Sequence, residues 1–163
     1  MHGGTFGPAC NDRSVPIVGA VLATTTVDGD QAAARPLDDA ECRALLGAAA
    51  VGRVGLSIDA LPVVLPVAHV LDGDRIVFRT GSGAKLQQAL EGAVVCFQAD
   101  EIDERRHAGW SVLATGHARE ITDAAELRGV RTLPLRPWTG VDGEHYVEIR
   151  IELLSGRRFG PAD

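Results

Sequence analysis

The chain is short of positive charge, of lysine in particular, and of aromatic rings. Of its 163 residues 16 are basic against 22 acidic, a formal net charge of −6. That balance excludes a general nucleic-acid binder, which needs a concentrated positive face for phosphates, and it disfavours anionic membrane surfaces. Cysteine is sparse as well. Cys10, Cys42 and Cys96 form an odd set without CxxC spacing, so neither a disulfide framework nor a zinc site is expected, and a reducing cytoplasm fits best. Long apolar runs are missing: the most apolar early stretch, Val15 to Ala23, is interrupted by Pro16 and Gly19 and is too short to cross a bilayer.

What is present is an ordinary globular composition, 45% apolar and 23% charged, enough for one domain with one core. Residues 1–36 lack sustained periodicity and carry Gly3, Gly4, Gly7, Pro8, Gly29 and Pro36, the signature of a flexible N-terminal extension; the body, 37–163, begins at Leu37. Asp38 and Glu41 have capping-box spacing ahead of Cys42, Leu45, Leu46 and Ala49, which predicts a helix with one buried face. Short β-branched runs follow over 53–58, 62–71 and 75–80, and Asp72-Gly73 marks a hairpin between the last two. A short helix is expected over 84–91, ended by Gly92, then a strand over 93–99, a charged loop over 100–109, and a long strand over 110–121. Asp123 and Glu126 repeat the capping spacing before another short helix. The last strand, 145–154, alternates Val147, Ile149, Ile151 and Leu153 on one face with Tyr146, Glu148, Arg150 and Glu152 on the other. About six strands with short helices predict an α+β, mainly β fold, an antiparallel barrel rather than a doubly wound sheet, since a parallel sheet would need a crossover at the hairpin.

The stretch Thr80-Gly81-Ser82-Gly83-Ala84-Lys85-Leu86 invites a nucleotide reading but is neither a P-loop nor a dinucleotide fingerprint: the glycine-to-lysine spacing is too short, Leu86 offers no magnesium ligand, and the preceding strand belongs to a hairpin. What survives is simpler. Arg79, Thr80, Ser82 and Lys85, the only lysine in the chain, gather two cations and two hydroxyls at the start of a short helix, the outline of a phosphate site. A solvated turn with a helix cap gives the same local pattern, and these residues alone leave both readings open.

The histidines His2, His69, His107, His117 and His145 show no HxxxH or HExxH spacing, and no GxSxG elbow occurs, so neither a metal centre nor a hydrolase triad is expected. Trp110 and Trp138 are either core rings or walls against a flat heteroaromatic ligand.

Taken in order, Val54-Gly55-Leu56-Ser57, Pro62 to His69, Ile76 to Lys85, Val94-Val95-Cys96-Phe97, Trp110-Ser111-Val112, Gly116-His117-Ala118-Arg119 and Tyr146 to Ile149 with Ser155-Gly156-Arg157 resemble the pyridoxamine 5′-phosphate oxidase-like, FMN-binding split-barrel family, nearest its small nitroimidazole-reductase-like members. The resemblance spans roughly residues 37 to 159. It implies a six-stranded split β-barrel, a homodimer with flavin at the subunit interface, and a flavoprotein oxidoreductase acting on a small organic substrate. By the same resemblance the strand Pro66, Val67, Ala68, His69 runs along the isoalloxazine through its backbone, and Arg79, Thr80, Ser82 and Lys85 hold the ribityl phosphate. Trp110 and Ser111 would approach the flavin from the partner chain, and Trp138 would face the same cleft. The C-terminal part lacks the Trp-Gly-Gly and Arg-x-His patterns that hold pyridoxal phosphate, so vitamin B6 oxidation is not implied. FMN is the expected cofactor; an F420-dependent reductase and a non-catalytic flavin- or haem-binding protein are the alternatives. No catalytic residue is identified.

Overall fold

The computed structural model describes residues 34–81, 86, 88, 90–135 and 145–160. The expectations for residues 1–33 lie outside the described residues. Next to the boundary at Leu37, a two-residue strand β1 (Arg35–Pro36) already pairs with Arg157 and Arg158. Helix α1 (Asp39–Ala48) starts as its sequence predicts: Asp38 accepts from the Glu41 amide and the Glu41 side chain accepts from the Asp38 amide, a complete capping box. Its inward residues Cys42 and Leu46 are buried.

The remaining strands are β2 (Val51–Ile58), β3 (Leu61–Asp72), β4 (Arg75–Thr80), β5 (Val94–Asp103), β6 (Ala108–Glu120) and β7 (His145–Phe159), with helix α2 (Ala124–Val130) between the last two. All pairings are antiparallel, in the order β7-β4-β3-β2-β5-β6, and β6 pairs back onto β7. Six strands thus close into the ring of a split β-barrel, with β1 added at the outer end of β7. Closure leaves few free strand edges, which suits a sheet this long.

The hairpin at Asp72 is present, but its loop is Gly73-Asp74, since Asp72 still pairs with Arg75. Gly73 has φ +60, the requirement of the first central position of a type II′ turn. The β2–β3 loop is Asp59-Ala60, both with positive φ. Between β4 and β5 the residues Leu86, Gln88 and Leu90 are helical, and Gly92 (φ +67) follows them. In α2, Asp123 caps the amides of Ala125 and Glu126, as its spacing predicts.

Two departures from the sequence reading concern strand ends. Residues 100–103 continue β5 and β6 begins at Ala108, so the expected loop shrinks to a turn over 104–107. The alternation of β7 holds only to Ile151. Gly116 pairs with Ile151 but Thr115 pairs with Leu153, leaving Glu152 as an extra residue, a β-bulge. Leu153 is therefore turned outward and 51% exposed, while Leu154 packs against the core. Gly116 lies so close to the Arg150 carbonyl that no side chain fits there.

The core joins Val54, Leu56, Ile76, Phe78, Val95, Phe97, Val112, Val147 and Ile149 of the strands with Leu37 and with Cys42 and Leu46 of α1. A separate cluster, Val77, Ile121, Val130 and Tyr146, lies beneath α2 on the outer side of β4 and β7. Burying one such side chain contributes roughly 1.5–3 kcal/mol, so α2 is anchored by a small core of its own.

Candidate functional site

Strand β3 decides which side chains a ligand on the barrel's outer surface would meet. Val63, Leu65, Val67 and Leu71 pack against the core and His69 is buried, so Pro62, Val64, Pro66, Ala68 and Val70 face outward. This outward stripe is wholly apolar. Of the four residues expected along a flavin, Pro66 and Ala68 present side chains on it, whereas Val67 and His69 turn inward.

His69 is held in the core. Its Nε2 lies 2.9 Å from the Leu46 carbonyl, which can only accept, so Nε2 carries the hydrogen. Its ring centroid is 4.7 Å from that of Phe97. Nδ1 is buried without a partner. Burial favours the neutral ring and pushes the pKa below the usual histidine value, against the smaller opposing effect of the Leu46 bond.

At the end of β4, beside the apolar stripe, stands Arg79. Its guanidinium carbon is 5.4 Å from the centroid of the Tyr146 ring, within cation–π range. Thr80, the next residue, turns to the opposite side of the strand, with its hydroxyl 3.4 Å from the Gly81 carbonyl. Ser82, Lys85 and Trp138 lie outside the described residues. Trp110 is a core ring of its own chain, 7% exposed, and its Nε1 donates to Glu101 at 3.4 Å. Its neighbour Ser111 faces outward and is half-buried.

Several surface residues near this region are not legible in the sequence. Arg53 pairs with Asp100 at 2.6 Å and reaches Gln98 at 3.3 Å, and Gln98 donates to Ser111 at 3.5 Å. These groups come from three strands and meet only through register; Arg53 lies directly opposite Pro66. Beyond Arg79 an open cleft of about 630 Å³ is lined by Glu120, Ile121, Thr122, Leu127, Arg131, His145 and Tyr146. There His145 donates from Nδ1 to Glu120 at 2.6 Å.

The outer face also carries an uncharged row running across five strands. Register places Val64 opposite Gly55, Gly55 opposite Cys96, Cys96 opposite Thr115, and Thr115 opposite Leu153. Val64 is 65% exposed, Leu153 51%, and the nearby Val94 62%. Among the described residues no three potential metal ligands come together, and no helix is long and apolar enough to cross a membrane.

Comparison with known proteins gives a consistent result. The family model described as pyridoxamine 5′-phosphate oxidase matches residues 38–158. An uncharacterised protein of Mycobacterium tuberculosis strain H37Rv is 36% identical over 128 residues, covering 76% of this chain and 84% of its own length. A solved FAD binding protein of Mycobacterium smegmatis has a TM-score of 0.67 at 33% identity over 77% of this chain and 98% of its own. The flavocytochrome Anf3 of Azotobacter vinelandii has a TM-score of 0.60 at 25% identity, covering 80% of this chain and 72% of its own.

Proposed function

The chain belongs to the pyridoxamine 5′-phosphate oxidase family, and from that premise we propose that it is a homodimeric flavoprotein oxidoreductase, binding FMN or a larger flavin built on it and acting on a small organic substrate. One observation carries the reading: the apolar outward stripe of β3 lies beside Arg79 on the neighbouring strand. A flavin is a flat, largely apolar ring joined to a phosphate, and this surface offers it a wall without side-chain charge followed by a guanidinium suited to phosphate oxygens. The relatives named as flavin proteins support the same cofactor class.

The residues present fit that group. Pro66, Ala68 and the β3 backbone would lie along the ring and Arg79 would meet the phosphate; the Thr80 side chain points to the other side of the strand, and Ser82 and Lys85, which the resemblance adds to the phosphate site, lie outside the described residues. When bound, a flavin supplies hydride or electron transfer; the protein's part is to orient it and exclude water. The stripe does this passively, since none of its side chains titrates. Arg53, fixed by Asp100, places a charge at the edge of the stripe.

The partner in this reading is a second copy of the chain. The row from Val64 to Leu153 is a broad, weakly polar sheet surface of the kind that marks an association site. A dimer there would cover the exposed valines and bring Ser111 and Gln98 near the opposing protomer.

A second reading has its own support. His69, the one titratable residue of the segment Pro66–His69, is turned into the core, so a carrier or sensor binding flavin or haem fits the same surface. A visible spectrum of the purified protein, followed by titration with FMN, F420 and haem, tests both readings. Flavin absorbance with turnover of a reduced donor supports the oxidoreductase; bound flavin or haem without turnover favours the carrier; absence of flavin binding overturns the proposal.

A further inference from the structure

We propose that Arg53 is the cation that meets the pyrimidine edge of the bound flavin ring and raises its reduction potential. The inference rests on the flavin reading above and deepens it by naming the residue that sets the electron affinity of the ring.

The first argument is register. Arg53 is directly opposite Pro66 and, like Pro66, is exposed on the outer face. On the other side of β3, Phe78 of β4 pairs with His69, which brings the following residue, Arg79, level with Ala68. The two arginines therefore flank the Pro66–Ala68 stripe from strands about 10 Å apart, twice the spacing of neighbouring strands. A flavin has the same order of groups: an anionic phosphate, a flat apolar ring, and a pyrimidine edge bearing carbonyl acceptors. With the phosphate at Arg79 and the ring on Pro66 and Ala68, that edge falls toward β2. Of the outward positions over 51–57 of β2 and 62–70 of β3, Arg53 alone carries a charge.

The second argument is how the guanidinium is held. Its Nη1 donates both to Asp100, at 2.6 Å, and to Gln98, at 3.3 Å. Both acceptors belong to β5, on the side of β2 away from β3. Among the described residues no other hydrogen bond or ion pair uses the group, which leaves Nη2 and Nε to donate to a ligand. The carboxylate is the more buried partner, its side chain 23% exposed against 51% for Arg53, so the open side of the pair is the guanidinium. Two donors side by side suit two adjacent acceptors, and N1 with the C2 carbonyl of a flavin pyrimidine is such a pair. A plain surface ion pair accounts for the Asp100 contact but not for a lone charge beside the apolar stripe.

Arg53 is also placed to lose its water. Gly55, the next outward residue of β2, belongs to the exposed uncharged row, so a second copy seated there covers the neighbourhood of the guanidinium and strengthens its field. Two electrons and one proton, delivered by a reduced organic donor, leave a flavin ring with the proton on N5 and one negative charge at the N1–C2 edge. A fixed cation at that edge favours the reduced ring over the neutral oxidised one.

The test is the midpoint potential of FMN bound to the full chain, read by dithionite titration against a reference dye. Arg53→Gln should keep its FMN but bind the reduced form about tenfold less well relative to the oxidised form, as loss of one charge-assisted contact allows. For a two-electron couple that ratio is a fall of about 30 mV. Arg128→Gln, at an exposed position of α2, should leave the potential where it is, and an unchanged thermal midpoint verifies that each variant folds. The wild type gives a check that needs no substitution: between about pH 8 and 6 its potential should change by about 30 mV per pH unit, one proton per two electrons. A slope of about 60 mV per pH unit, two protons per two electrons, means a neutral reduced ring and overturns the proposal. So does an unchanged potential in Arg53→Gln with FMN bound, or an equal fall in Arg128→Gln; each leaves the flavin reading intact. A wild type that binds no flavin overturns both.

Discussion

His69 and Leu46 share a hydrogen bond, 2.9 Å from the imidazole Nε2 to the helix carbonyl, that joins β3 to the C-terminal end of α1 inside the barrel. The other ring nitrogen is buried with nothing to receive a proton's charge. The imidazole is therefore a structural strut in its neutral form.

Stability should depend on pH through this group. A free histidine titrates near 6.5 and the folded His69 below that value, so between the two pKa values the unfolded chain binds more protons. Stability is then fully present above pH 6.5 and is lost as the pH falls toward the folded pKa. Urea unfolding between pH 8 and 5 reads the slope, and His69→Gln, which retains a hydrogen-bond donor but does not titrate, should show a shallower acid limb than the wild type. Identical limbs would refute the assignment.

Glu148 is a second buried anchor. It accepts from Arg75 at 2.7 Å and from Arg119 at 2.8 Å, donors on the two strands flanking β7. Arg119 also reaches Glu126 of α2. Glu148→Gln keeps the shape but removes the charge, and because both arginines are partly in water the expected loss is about 1–3 kcal/mol. Thermal unfolding should show a midpoint lowered by several degrees.

The β2–β3 loop offers the opposite effect. Ala60 has φ +63, a left-handed conformation that costs a residue with a side chain roughly 1–2 kcal/mol. Ala60→Gly relieves that strain, offset by the greater freedom of glycine in the unfolded chain. A net gain of about 0.5 kcal/mol is expected from denaturant unfolding.

The phosphate segment is probed by Lys85→Ala. Loss of a charge-assisted contact is worth about 1.5–3 kcal/mol, so flavin affinity should fall at least tenfold, on the order expected for that energy. Arg106→Ala, at the exposed turn between β5 and β6, should leave it unchanged. Equal affinity in the two variants would remove Lys85 from the site.

Association is probed by placing charge in the exposed row. At 17.2 kDa per chain, the wild type should sediment as a dimer of about 34 kDa, twice the chain mass. Val64→Asp and Leu153→Asp should each shift it toward monomer, since burying an unpaired carboxylate is costly. A wild type that sediments as a monomer would argue against the second-copy reading.

Much of the fold was legible because it depends on local chemistry. Asp38 with Glu41 and Asp123 with Glu126 mark the two helix starts, and Gly73 marks the hairpin. The misread portions depend on pairing instead. The mostly charged residues over 100–103 read as loop because what makes them strand is pairing with Ala108, Gly109, Trp110 and Ser111 across the turn. The cleft residues escaped notice for a similar reason: Arg79, Glu120, Arg131 and His145 have no sequence spacing in common and meet only where β4, β6, α2 and β7 end together.

The extra residue at Glu152 also determines what kind of surface the barrel presents. Were Glu152 paired in the ladder instead of extra, every side chain from Leu153 onward would exchange inside for outside. Leu153 would enter the core and leave the exposed row without its last member, while Leu154 would be delivered to solvent. The bulge sets Glu152 and Leu153 side by side on the outer face, so deleting Glu152 would leave Leu153 opposite Thr115 and Leu154 inside, whereas a one-residue deletion in a regular stretch of this strand would turn its outer face into an inner one.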